Sequence, residues 1–202
     1  MHINSHFAVG IIFASILNFF FKFNLFDFSL IVLFSFICDF DVFFSKYAKD
    51  HNHRLLITHS IIPSVILIIS GYVIGWPALI ISGFNYFLHI TIDTIDWGTN
   101  FFYFQKKQIG FKLLITKEEF ENMPLYLAKY KIPASFFDEK YYKNKICLTI
   151  EILLFVMMII FLFWFALPYS FLVFIYFIGL YFHLHRHYVL KRIENTEINN
   201  TF

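Results

Sequence analysis

An all-α membrane helix bundle is the fold class this sequence predicts, and three observations predict it. Of its 202 residues 59% are hydrophobic and 15% charged, where a soluble domain carries about 25% charged residues. Mean hydropathy is +0.66, and aromatics make up 23% of the chain, with 31 Phe. The apolar residues also fall into about six runs separated by short polar punctuation, the pattern of a polytopic bundle.

The first run covers residues 7–21 and stops at Lys22; the second covers 26–44. The stretch HNHRLLITHS, 51–60, separates the second from a third run over 61–75. Trp76-Pro77 marks a tight turn before the fourth run, 78–95. A polar, aromatic-rich region follows to about residue 144, then a fifth run over 146–166, a turn at Pro168, and a sixth over 169–182. Several runs fall short of the ~20 apolar residues that cross ~30 Å of hydrocarbon. Flanking His, Lys and Tyr drawn to the interface would make up the difference.

Three blocks follow: a four-span half over 1–96, a cytoplasmic loop and helix region over 97–145, and a two-span hairpin with a tail over 146–202. In the middle block Thr116-Lys-Glu-Glu119 reads as a capping box that opens a short helix, interrupted near Pro124. FFYFQKK, 101–107, reads as an interfacial anchor. The start MHINSHFAVG has no basic n-region and no small-residue cleavage site, so the first helix is expected to stay in the mature protein.

Basic residues orient the bundle. With six spans, only Lys22 of the 16 Lys and Arg falls on the side away from the N-terminus. Lys46, Lys49, Arg54, Arg186, Lys191 and Arg192 lie near span ends on the N-terminal side, which the positive-inside rule makes cytoplasmic. Both termini are therefore expected inside, in an integral inner-membrane protein. The same topology delivers His6, Asp39, Asp41, His53, Arg54, His59, His89 and Asp93 to that one face. His89 and Asp93, four apart, share a helix face. Asp39 and Asp41, two apart, can converge only where a regular helix ends. Ionisable groups at membrane depth are costly unless paired or metal-bound, and are functional by default, so the cluster predicts a metal site.

Other features carry less. Ser60 or Thr58 can cap the third span. Cys38 and Cys147 are too few and too far apart for a zinc ribbon or disulfide framework and read as buried small hydrophobes. His183, His185 and His187 read first as an interfacial belt, with His183 and His187 as a further ligand pair the alternative. Glu151 reads as a partner for a nearby Lys. No Gly-rich phosphate loop, Ser or Cys nucleophile motif or nucleic-acid module occurs, so direct nucleic-acid binding is not expected.

His6-x-x-x-Gly10, Asp39-Phe-Asp41, His53-Arg54 with Thr58-His59-Ser60, and His89-x-x-x-Asp93, in that order, resemble the YdjM/YbcI-type (DUF457) family. These are inner-membrane-associated, metal-dependent hydrolases also described as LexA-binding, and distantly similar to zinc-dependent phospholipase C enzymes. The resemblance covers roughly residues 2–100. Cys38 stands where members commonly have Pro, and the loop holds one more residue than HRGxTHS. What the resemblance implies is a metal set of His6, Asp39, Asp41, His59, His89 and Asp93, with His53 and Arg54 close by.

The expected chemistry follows. Mixed N and O donors suit Zn best, with Mn or Fe next, rather than Mg or Ca. Water on such an ion has a pKa near 7 and would attack a phosphoester or other ester. Asp41 or His53 would be the general base, and Arg54 would clamp a phosphate. A phospholipid or lipid-linked phosphate is the substrate expected from location. The alternative is a membrane-anchored regulatory protein with a structural metal and a protein partner. A transporter fits less well, because its polar groups should lie near the midplane and on both sides.

Overall fold

A computed structural model describes residues 3–48, 52–104 and 108–196; Lys49, His51 and part of the 101–107 anchor lie outside them. The described residues are helical, with one isolated antiparallel bridge, Thr99 to Ile109. The α-helices are α1 (Ile3–Phe21), α2 (Leu25–Leu33), α3 (Ile61–Ile74), α4 (Pro77–Asp96), α5 (Lys117–Glu121), α6 (Met123–Leu127), α7 (Pro133–Lys143), α8 (Lys145–Phe165) and α9 (Val173–Asn195). Segments of 3₁₀-helix span Ile37–Tyr47, His53–Leu55, Ile57–His59 and Leu167–Leu172.

The expectation of six spans is met only in part. Among the described residues four helices are long and apolar enough to cross a membrane: α1, α4, α8, and the last one counted from Leu167. A fifth exists only if α2 and the Ile37–Tyr47 segment, bent by 42°, count as one span. The third run forms a helix of 14 residues, about 20 Å long at 1.5 Å per residue. The sixth run also differs. Its helix passes residue 182 and continues to Asn195, because the polar tail packs on α7 rather than ending at the apolar limit.

One end of the bundle is closed by three turns that touch. Tyr169 donates its hydroxyl to the Phe23 carbonyl at 2.5 Å, and Asn18 donates its side-chain amide to the Phe165 carbonyl at 2.9 Å. Trp76 Nε1 donates to Asp27 at 2.9 Å. Asn24 caps α2 by accepting from Asp27 N. The apolar core above these turns is formed by residues such as Phe7, Ile11, Phe28, Ile31, Met158 and Leu162. α3 and α4 form a close hairpin that only small residues allow. A Cβ on Gly83 would stand 2.9 Å from the Ser64 carbonyl oxygen and 2.6 Å from Ile68 Cγ1.

At the open end, α5, α6 and α7 pack with the tail of α9. Thr116 and Glu119 form the expected capping box, and the helix breaks at Asn122, just before Pro124. His187 Nδ1 lies 2.5 Å from Asp138 Oδ2, and its ring lies 4.0 Å from that of Tyr142. His187 thus ties α9 to α7, away from the other candidate ligands, and His185 stacks on Tyr181. Glu151 accepts from the Tyr141 hydroxyl at 2.5 Å, a tyrosine partner in place of the expected Lys. The anchor's Phe102 and Phe104 are exposed.

Carboxylates hold this layer together. Burial pushes the Glu119 carboxyl up, but the Lys140 ammonium and Thr116 outweigh it and hold it below the usual glutamate range. Lys143 and Tyr130 lower Glu139 in the same way. A carboxylate with a lowered folded-state pKa contributes stability above its unfolded pKa and loses it as pH falls through the folded value. Acidification through about pH 5 to 3 is therefore expected to speed hydrogen exchange in 117–143 before it does so in α1 or α4. Simultaneous loss of protection in all three would contradict this.

Candidate metal centre

The break after α2 creates the site. Phe34 to Phe36 leave the α-helix, and the chain re-enters as 3₁₀-helix from Ile37 to Tyr47, far longer than the usual three or four residues. At three residues per turn, side chains two apart point about 120° apart, against about 160° in an α-helix. Asp39 and Asp41 can thus lean toward the same neighbours, as their spacing required. The break also frees the Ser35 carbonyl, which His89 Nδ1 reaches at 2.6 Å. A carbonyl only accepts, so Nδ1 carries the proton and Nε2 keeps its lone pair.

His59 is set in the same way. Its Nδ1 lies 2.6 Å from Asp41 Oδ2, an oxygen that also accepts from the Thr58 hydroxyl. Tyr86 in turn donates to the Thr58 carbonyl, and Thr99 donates to the His59 carbonyl at 2.8 Å. A far nitrogen held by a carboxylate or carbonyl is the usual support of a metal-ligating histidine.

The two free nitrogens then meet two carboxylates. His59 Nε2 stands 3.8 Å from Asp39 Oδ1 and 3.4 Å from Asp93 Oδ2. His89 Nε2 stands 3.6 Å from each of those oxygens. Donors about 2.0–2.2 Å from a tetrahedral ion stand about 3.3–3.6 Å apart, and these four nitrogen-to-oxygen separations lie within or just above that range. Nε2 of His59 and Nε2 of His89 are buried without a hydrogen-bond partner. Each such group costs about 1–3 kcal/mol, a cost that a shared cation would remove. The residues present therefore fit a divalent metal.

The remaining expected residues surround this set. His6 Nε2 contacts Asp93 Oδ1 at 3.1 Å, and its ring stacks on His89 with centroids 3.7 Å apart. His6, Asp39, His89 and Asp93 offer donor atoms within 4.8 Å of one another. Asp41, His53 and His59 form a second such group. Burial, the neighbouring His59 and the Arg54 guanidinium push His53 down to about 4, so its imidazole is uncharged at neutral pH. Arg54 Nη1 lies 3.3 Å from Asp93 and 3.2 Å from Asp96, so the guanidinium expected to clamp a phosphate is engaged with two protein carboxylates.

Sequence reading missed several members. Cys38, read as a small hydrophobe, offers its sulfur within 4.8 Å of donor atoms of His59 and His89. Asp96 reads as the start of the polar region after the fourth run; its place one turn after Asp93 is the available signal. The Ser35 carbonyl is a backbone group and left no signal. Gly10, named only in the family-like motif, has a steric reason to be glycine. A Cβ there would stand 2.1 Å from Ser35 Oγ and 3.3 Å from Asn85 Nδ2. Gly10→Ala is expected to cost about 1–3 kcal/mol and, by shifting Ser35, to weaken metal binding through His89. Thermal unfolding together with metal titration checks both; unchanged metal affinity would contradict the link through Ser35.

Compared with family models, curated proteins and solved structures, the chain matches none significantly.

Proposed function

We propose that this protein is a membrane-embedded metal-dependent hydrolase acting on a phosphoester or other ester. The observation that carries the reading is the four-donor set of Asp39, His59, His89 and Asp93, with both histidines aimed by partners on their far nitrogens. The mixed nitrogen and oxygen donors suit zinc best, then manganese or iron. A bound ion would supply Lewis acidity and an acidified water. The chain's own residues do the rest. Asp41 fixes the His59 tautomer, His53 is a neutral base beside the ligands, and Arg54 holds Asp93 in place. The excess of Lys and Arg at the open end supports placing that end, the site and both termini in the cytoplasm. The resemblance to the YdjM/YbcI-type family agrees with this reading.

A second reading has its own support. His6, His59, His89 and Asp93 have no exposed side-chain surface, and two His with two carboxylates can close a tetrahedron. A closed shell is the mark of a structural metal, which would suit a regulatory membrane protein with a protein partner. Turnover separates the two. Chelated protein reloaded with zinc or manganese would be assayed on phosphomonoesters, phosphodiesters and carboxylic esters, soluble and in nanodiscs. Metal-restored hydrolysis that is lost in His89→Ala supports the enzyme. Full metal occupancy with no turnover on any of them supports the structural role.

A further inference from the structure

The helices provide rulers for depth. α8 is apolar from Ile146 to Phe165 apart from Thr149 and Glu151, and Lys145 lies about 30 Å from Phe165, the thickness of the hydrocarbon layer. Measured from the closed end, His6 lies about 22 Å up α1 from Phe21. His89 and Asp93 lie about 18 Å and 24 Å up α4 from Pro77. The three turns that define this end are in contact, so the distances share an origin. The donor set therefore sits about 6–12 Å short of the level of Lys145.

The Ile37–Tyr47 segment gives an independent measure. It ends in Lys46 and Tyr47, both exposed, with the ammonium 4.8 Å from the ring centroid, a pair suited to the interface. Asp39 lies about 14 Å before Lys46 at 2.0 Å per residue. Between them Phe40, Val42, Phe43 and Phe44 are exposed.

The set opens on this same segment. Asp39 has 17% of its side chain exposed, whereas His6, His59, His89 and Asp93 have none. Side chains three apart nearly eclipse in a 3₁₀-helix, so Asp39 lies in a row with Val42. The rings of Phe36, Phe40 and Phe43 follow one another at 6.2 Å and 6.4 Å. The exposed edge of the donor set is thus bordered by apolar side chains, below the level where charged residues resume.

We propose that the centre opens sideways into the lipid at Asp39 and that the molecule reaching it is a membrane lipid, whose glycerol-ester or phosphate region descends along Phe40 and Phe43. This names the substrate class of the hydrolase reading and rests on that reading only for what happens to the lipid. The depth and the opening are measured without turnover.

The test uses the full chain in nanodiscs doped with phosphatidic acid carrying a diazirine close to the glycerol. Adducts are mapped by mass spectrometry, with metal content measured on the same nanodiscs. The expected result is labelling of Asp39 that falls at least five-fold under excess unlabelled phosphatidic acid. Labelling confined to Phe43, Phe44 and the outer faces of α8 and α9, with none at Asp39, would overturn the proposal even if metal is bound. Displaceable labelling at Asp39 in protein that binds no metal would leave the opening standing and remove the hydrolase reading. Spin labels at Phe40→Cys, Phe43→Cys and Tyr47→Cys provide a second readout, since Cys38 and Cys147 are buried. Oxygen should dominate collisions at Phe40 and a water-soluble nickel chelate at Tyr47. Equal nickel contact at both would mean a water-filled mouth and overturn the lipid route.

Discussion

Arg54→Met is expected to destabilise the protein by about 3–5 kcal/mol, the cost of removing one partner from a buried charge cluster. Arg54 is buried, and Asp93 and Asp96, which it bridges, are 0% and 1% exposed. Methionine keeps much of the side-chain length but removes the positive charge that both carboxylates share, and the chain then gives up stability or binds protons. Asp96→Asn in the same background should recover part of the loss by removing one charge. Unfolding followed by circular dichroism in detergent measures both. A loss below about 1 kcal/mol, the range of exposed pairs, would show that the cluster is hydrated and weakly coupled.

His89→Ala is expected to abolish metal binding. It removes a donor atom, and it also leaves the Ser35 carbonyl without the ring nitrogen that it holds at 2.6 Å. Asp41→Asn should behave differently. Asp41 Oδ2 holds His59 Nδ1, and an amide can still accept there, so the donor set survives with a less basic imidazole. Loss of such a supporting partner typically costs 10–100-fold in metal affinity. Competition titration with a chromophoric zinc chelator ranks the variants. Complete loss in Asp41→Asn as well would make Asp41 a direct ligand, the role the family resemblance implies for it.

Much of this site is written in the sequence, because the polar residues that build it interrupt runs of hydrocarbon. His6, Asp39, Asp41, His53, His59, His89 and Asp93 stand out against Phe, Ile and Leu. Simple alternation of spans brings them to one end, and the structure gathers them there. The four-residue spacing of His89 and Asp93 is a helical contact and needs no tertiary information. The rest depends on what hydropathy does not encode. No Gly or Pro marks the break at Phe34–Phe36, so the second run reads as one continuous span. That break releases the Ser35 carbonyl and tightens the winding under Asp39 and Asp41. Arg54 looks available for a phosphate until the fold brings it against Asp93 and Asp96. The C-terminal helix reads as ending near residue 182, because His183 to Asn195 is polar. Its reason to stay helical is the contact of His187 with Asp138 and of Glu194 with the backbone of Lys131 and Ile132.

The central claim is that Asp39, His59, His89 and Asp93 share a divalent cation. Metal content by mass spectrometry, on detergent-purified protein beside a His89→Ala/Asp93→Ala variant, tests it most directly. The account predicts at least one zinc or manganese per folded parent chain and none in the variant. A parent that holds no metal even after exposure to both ions would contradict it, and the buried nitrogens and carboxylates would then have to be satisfied by protons alone.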